Sequence, residues 1–235
     1  MSMRHHIPNI ITCGNLISGC FSILFSFSGM PVAAALMIFA AGLFDFFDGF
    51  SARLLDAHSP IGADLDSLSD VVSFGVAPGF IMYHLMCEGM TEPLWPLGKV
   101  SLFACLAFLL PVFSAVRLAK FNVDTRQTIS FIGLPTPPMA IFMASLPLAF
   151  WQMGVLGQPV LNPLLCLGIV ILFSVLMVCN RPFFSFKIKS VTWKGNEVRW
   201  IFLILAVAGF AVFRFVALPF ILLAYILMSM LFYRP

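Results

Sequence analysis

The chain has 235 residues, of which 61% are hydrophobic and 10% charged, and its mean hydropathy is +1.03. That balance excludes a soluble domain and predicts a single all-α integral membrane domain over residues 1–235, a bundle of about eight transmembrane helices. The net charge of +3 forms no basic stripe, which argues against nucleic acid as a partner. The six cysteines (13, 20, 87, 105, 166 and 179) include no C-x-x-C pair and read as small buried hydrophobes.

Residues 7–28 are expected to form the first span, with Pro8 in its opening turn. It lacks the small-residue cleavage site and polar continuation of a signal peptide. His5 and His6 before it are read as interfacial. Thr12, Asn15 and Ser18 recur at helical spacing, either as ordinary helix–helix hydrogen bonding or as the wall of a polar cavity. Gly29 and Pro31 make a turn, and a second span runs from Pro31 to about Arg53. After a loop over 54–61, a third span runs from Gly62 to about Met86. Its Ser67, Ser69, Ser73, Gly75, Pro78 and Gly79 are too small and polar for lipid, so it packs against other helices or a cavity. A loop over 87–98 carries Trp95. A fourth span covers about 99–120, a fifth runs from the Gly133–Pro138 stretch to near Met153, and a sixth from about Pro159 to Asn180. Residues 198–233 are expected to form two short helices turning near Arg214, with one long tilted helix as the alternative. No internal repeat is present. Polar features concentrate before residue 139, so residues 1–155 read as the catalytic core and 156–235 as scaffold.

Six of the ten acidic residues fall between positions 45 and 70 (Asp45, Asp48, Asp56, Asp64, Asp66 and Asp70), flanked by apolar segments. A carboxylate at membrane depth costs several kcal/mol without a partner, and several together repel. A salt-bridge staple would need basic partners, and only Arg53 is near in sequence. A divalent cation relieves both penalties, and oxygen-only ligands select hard ions. Asp45 and Asp48 share one helix face, as do Asp66 and Asp70. If the second and third spans form an antiparallel hairpin, all four carboxylates converge about 6–12 Å below the surface, at a rise of about 1.5 Å per residue.

The pattern Asp45-x-x-Asp48-Gly49-x-x-Ala52-Arg53, eight residues, then Gly62-x-x-x-Asp66-x-x-x-Asp70 resembles the signature of the CDP-alcohol phosphotransferase family. The flanks, from Gly62 to Gly79, Arg117-Leu118-Ala119-Lys120-Phe121-Asn122, and Phe131 to Pro137, are similar to its phosphatidylserine synthase branch. That branch more often has Arg where Lys120 stands and small residues where Pro138 and Met139 stand. The resemblance implies transfer of a phosphatidyl group from CDP-diacylglycerol to L-serine, with two divalent cations, Mg²⁺ or Mn²⁺, held by Asp45, Asp48, Asp66 and Asp70. It implies that Asp70 also acts as the base and that Gly49, Ala52, Arg53 and Gly62 serve the nucleotide side, Gly49 by allowing close backbone approach. It further implies a homodimer among membrane lipids. Arg117, about one turn deeper than Lys120, is a candidate for the serine carboxylate or the donor phosphate. Lys120 is a candidate for the same role or a topology determinant.

The positive-inside rule sets the expected orientation. Arg4, Arg53, Lys120, Arg126 and the basics at 181, 187, 189 and 194 share one side, with Lys99 and Arg214 opposite. The N-terminus and the aspartates then face the cytoplasm of a prokaryotic cell membrane. Two rival readings are the same family acting on another acceptor, such as glycerol 3-phosphate or inositol phosphate, and a divalent-cation transporter. The transporter needs a polar path to the outer side, and the outer halves of the later spans carry no acidic residue.

Overall fold

The computed structural model describes residues 6–57, 59–98, 100–123, 131–155, 162–183 and 197–232. Helix α1 (His6–Phe27) turns its polarity inward. Pro8, Thr12, Asn15, Gly19, Ser22 and Ser26 recur every three or four residues and are buried, whereas Ile10, Ile17, Phe21 and Leu24 are exposed. A helix whose outer face meets lipid and whose inner face is small and polar has this pattern. Gly29 turns the chain with φ +69°, and α2 (Pro31–Leu54) returns along α1 with Ala34, Ala35, Ile38 and Ala41 buried. These small side chains let the two backbones approach, and Ser22 Oγ donates to the Ala34 carbonyl at 2.8 Å.

The third span is one rod in three parts: α3 (Gly62–Val71), a wider π turn (Val72–Val76) and α4 (Ala77–Glu88). Pro78 explains the π turn. It cannot donate to the carbonyl four residues back and its ring crowds that carbonyl, so the rod widens and the Ala77 N–H bonds the Val72 carbonyl instead. Two serines on this rod donate to α1 carbonyls, Ser69 to Thr12 at 3.4 Å and Ser73 to Asn15 at 2.9 Å. Gly19 makes room for the second, since a Cβ there would run into Ser73. Gly75 likewise admits α5, because its Cβ would lie 3.0 Å from Ser114 Oγ.

The fourth span begins later than its hydropathy suggests. Pro96–Leu97 (β1) and Val100–Ser101 (β2) pair as a short antiparallel hairpin, entered through Trp95 (φ 52°) and turned at Gly98 (φ 62°). Ser101 Oγ then accepts from the Ala104 N–H at 3.4 Å and starts a 3₁₀ turn (Ala104–Phe108) leading into α5 (Leu109–Val123). The expected start near residue 99 is therefore corrected to Ala104, because proline, glycine and a serine cap outweigh apolar composition there.

Helix α6 (Thr136–Gln152) runs through the centre of the bundle, with Met139, Ala140, Phe142, Met143, Ala144 and Leu148 all buried. Helix α7 (Pro163–Val178) is capped by Asn162, whose side chain accepts from the Leu164 N–H at 2.9 Å. A second two-stranded pair, β3 (Phe131–Ile132) with β4 (Pro182–Phe183), ties the approach to α6 to the end of α7. The last stretch is two arms, α8 (Glu197–Phe213) and α9 (Ala217–Phe232), joined by a 3₁₀ turn at Arg214–Val216. Arg214 has φ 51°, and Gln152 holds that turn with both ends of its amide. Its Nε2 donates to the Phe213 carbonyl at 3.0 Å, and its Oε1 accepts from the Phe215 N–H at 2.8 Å.

The chain is an all-α membrane protein. Among the described residues, five helical stretches are long and apolar enough to cross a membrane by length and composition. Counting the two arms at Arg214 separately, eight helical stretches lie among the described residues, so the expected count of about eight transmembrane helices is met only approximately. One end of the bundle carries the start of α1, the α2–α3 turn and the end of α5, joined by Asn9 to Ser59 at 3.0 Å and Asn122 to Ser67 at 2.9 Å. Arg53 and Lys120 lie at this end, and Arg214 at the other. Arg4, His5, Lys99, Arg126, Lys187, Lys189 and Lys194 lie outside the described residues.

Candidate active site at the α2–α3 hairpin

The inward stripe of α2 continues past Ile38 and Ala41 to Asp45, four residues after Ala41, and Asp48, three further on. Asp66 faces them from α3. One carboxylate oxygen from each of Asp45, Asp48 and Asp66 lies within 4.8 Å of the others. Three carboxylates that close are mutually repulsive in a low-dielectric setting unless a cation or protons lie between them. Asp48 Oδ2 and Asp66 Oδ1 are buried with no hydrogen-bond partner among the described residues. Unpaired acceptors of the hardest donor type, aimed at a common centre, fit a hard divalent cation.

Asp70 lies beside this trio, one helical turn beyond Asp66. It is 8% exposed and within electrostatic reach of Asp45, Asp66 and Asp48. Its Oδ1 accepts from the side-chain amide of Asn15 at 3.2 Å. Arg117 approaches from α5. It is 7% exposed, its guanidinium is 5.0 Å from the centre of the Phe121 ring, and it interacts electrostatically with Asp70. The packing of Ser114 on Gly75 places Arg117 one turn further along, level with the end of α3.

Above the trio, towards the bundle end that carries Asn9 and Ser59, opens a cleft of about 250 Å³. Gly49, Ala52 and Gly62 line it, along with Asp48 and Asp66. A Cβ on Gly49 would meet nothing within 4 Å, so the bare backbone there faces open space. Arg53 is exposed on the last turn of α2 and is not among the residues lining the cleft. Lys120 is exposed on the last turn of α5. The cleft also takes Pro8, Asn9, Thr12, Ala57, Ser59 and Ala63. Of these, Thr12 belonged to the polar stripe legible in the sequence, and Asn9 extends that stripe by three residues. Ala57, Ser59 and Ala63 carry no periodic signal. The polar stripe of α1 serves both purposes the sequence allowed: the carbonyls of Thr12 and Asn15 accept from Ser69 of α3 and Ser73 of the π turn, and both residues also border the acidic site.

A family model described as CDP-alcohol phosphatidyltransferase matches residues 5–232. The chain belongs to this family. Among curated relatives, the CDP-diacylglycerol–serine O-phosphatidyltransferase of Helicobacter pylori strain J99 is 34% identical over 188 residues, covering 79% of this chain and 74% of the relative. The protein of the same name from Bacillus subtilis strain 168 is 32% identical over 196 residues, covering 83% and 99%. The archaetidylserine synthase of Methanothermobacter thermautotrophicus is 33% identical over 177 residues, covering 74% and 67%. The aspartates of this phosphatidyltransferase chain lie within the matched span, as do the cleft residues and Arg117.

Proposed function

We propose that the chain transfers the phosphatidyl group of CDP-diacylglycerol to the hydroxyl of L-serine, giving phosphatidylserine and CMP. The observation that carries this reading is the pairing of three converging carboxylates with a glycine-lined cleft directly above them. The cleft suits a nucleotide headgroup, and the apolar flanks of α2 and α3 suit the acyl chains of the same amphiphilic donor. Relatives whose printed names specify serine as acceptor support that choice over other alcohols.

Asp45, Asp48 and Asp66 would hold the cations, with Asp70 as a further ligand. Two divalent ions, Mg²⁺ or Mn²⁺, bound there would supply charge neutralisation for the pyrophosphate and for the CMP leaving group. The chain's own groups do the rest. Gly49, Ala52 and Gly62 let the nucleotide approach the backbone. Arg53, on the exposed last turn of α2, remains a candidate for donor phosphate. Asp70 takes the proton of the serine hydroxyl as its oxygen attacks the phosphorus that bears diacylglycerol. The bond from that phosphorus to the bridging oxygen breaks, and CMP leaves with the electron pair. Arg117, a buried cation in electrostatic reach of Asp70, is the candidate for the serine carboxylate or the donor phosphate. Lys120 belongs to the same helix end.

The reading extends to a single domain over 1–235, with the chemistry in 1–155 and supporting helices beyond. The metal, donor and acceptor residues of this reading lie between Asp45 and Lys120. It extends also to a homodimer, on family grounds alone, and to a prokaryotic cytoplasmic membrane with the site facing the cytoplasm. Arg53 and Lys120 at the site's end of the bundle support that orientation. The test is incubation of purified protein with CDP-diacylglycerol, Mg²⁺ and either serine, glycerol 3-phosphate or inositol phosphate, with the lipid product identified. Phosphatidylserine and CMP in equal amounts are expected from serine alone. A product from another alcohol would move the acceptor, and no CMP from any of them would remove the enzyme reading. Chelation by EDTA should abolish turnover, and added Mg²⁺ or Mn²⁺ should restore it.

A further inference from the structure

We infer that Asn15 is a positioning residue for this reaction, fixing the carboxylate of Asp70 through its side-chain amide. The inference rests on the reading of Asp70 as the base. The direct observation is the 3.2 Å hydrogen bond from Asn15 Nδ2 to Asp70 Oδ1, formed between two buried side chains on different helices. A carboxylate can only accept, so the amide must present its nitrogen to Asp70 and its oxygen elsewhere. That oxygen, Asn15 Oδ1, is buried with no hydrogen-bond partner among the described residues. Leaving a buried acceptor unmet costs about 1–3 kcal/mol. An asparagine kept for packing alone would be a poor choice for a site that is 0% exposed.

The α1–α3 contact does not need this bond to hold together. Ser69 and Ser73 already join the helices on either side of it, and both use backbone carbonyls of α1. Ser73 in particular bonds the carbonyl of Asn15 itself, a contact that survives any change of the Asn15 side chain. The two serine bonds set the register, and the amide then has one remaining effect, which is to choose the rotamer of Asp70. With Oδ1 held against α1, the second oxygen of Asp70 is the one left for the reacting hydroxyl. A proton acceptor must meet the reacting hydroxyl within hydrogen-bond distance, and loss of a group that orients another side chain typically costs on the order of 10- to 100-fold in rate.

The test is a double-mutant cycle in the full chain, with three readouts: kcat for CMP release, donor affinity by titration of CDP-diacylglycerol, and the thermal midpoint. Asn15→Leu should lower kcat by about 10- to 100-fold while donor affinity and the midpoint stay close to wild type. Introduced into Asp70→Asn, it should lower kcat no further, because the residue it acts through is already gone. Multiplying losses in the double variant would overturn the inference. So would a midpoint that falls as far as in Ser73→Ala, since Asn15 would then be a staple. If Asn15→Leu does not fold, Asn15→Ala removes the donor without adding an acidic group beside Asp70, and full kcat in that variant overturns the inference equally. Loss in Asp70→Asn with full turnover in the Asn15 variants defeats this inference alone. Full turnover in Asp70→Asn defeats the base reading on which it stands.

Discussion

Replacing Gly49 with alanine separates the fold of this protein from its chemistry. The Cβ would point into open space, with no protein atom within 4 Å, yet Gly49 lines the cleft above the aspartates. Folding should therefore tolerate the methyl, and a helix interior gains about 0.5–1 kcal/mol on replacing glycine by alanine. A ligand that needs the bare backbone meets the methyl instead. Forcing one extra methylene into a packed contact costs about 1–3 kcal/mol, which is about 5- to 150-fold in donor affinity at 1.36 kcal/mol per decade. The matched control is Gly42→Ala on the same helix. Its Cβ also meets nothing within 4 Å, but the residue lines no part of the cleft. Donor affinity by titration, KM for CDP-diacylglycerol by CMP release, and the thermal midpoint in detergent are the assays. Gly49→Ala should hold or raise the midpoint and raise KM, and Gly42→Ala should leave KM alone. Wild-type KM in Gly49→Ala would show that no donor backbone contact exists there, and the cleft would lose its role.

Three further outcomes follow from the same geometry. Asp45→Asn should weaken metal-dependent donor binding, whereas Asp70→Asn should cut kcat by about 100-fold or more with a smaller loss of binding. Equal loss of binding in the two would make Asp70 one more ligand. Arg117→Ala should raise the KM for serine or for CDP-diacylglycerol, and whichever rises identifies the partner of the guanidinium. Unchanged kinetics in a folded variant would leave Arg117 a scaffold residue. Gly19→Ala should lower the thermal midpoint, because its Cβ runs into Ser73. The cost is about 1–3 kcal/mol for overpacking plus about 1 kcal/mol for the Ser73 hydrogen bond, and a midpoint equal to wild type would contradict the close α1–α3 contact.

Much of the site is legible in the sequence because membrane burial makes carboxylates conspicuous. Asp45 and Asp48 stand at helical spacing behind Ile38 and Ala41, and Asp66 and Asp70 do so behind Gly62. Apolar periodicity likewise gives most helix ends to within a few residues. It fails at residue 99, where Trp95, Gly98 and Ser101 build a hairpin and a cap inside an apolar run. The π turn is not visible from hydropathy either, although Pro78 is its cause. Spacing alone treats the four aspartates alike. The structure brings three of them within one ligand sphere and ties the fourth to Asn15, a distinction made by the α1–α3 packing across more than fifty residues of chain. Arg53 shows the converse limit, since the motif includes it but its side chain is exposed at the helix end.

In the proposed reaction the Asp45–Asp48–Asp66 trio holds the ions that serve the donor in the adjacent cleft. An experimental structure of the protein with Mn²⁺ and CDP-diacylglycerol, with the ions located by anomalous scattering, tests it most directly. Anomalous density is expected between Asp45, Asp48 and Asp66, with the cytidine portion against Gly49, Ala52 and Gly62. Manganese elsewhere, or the nucleotide outside that cleft with the trio unligated, would contradict it.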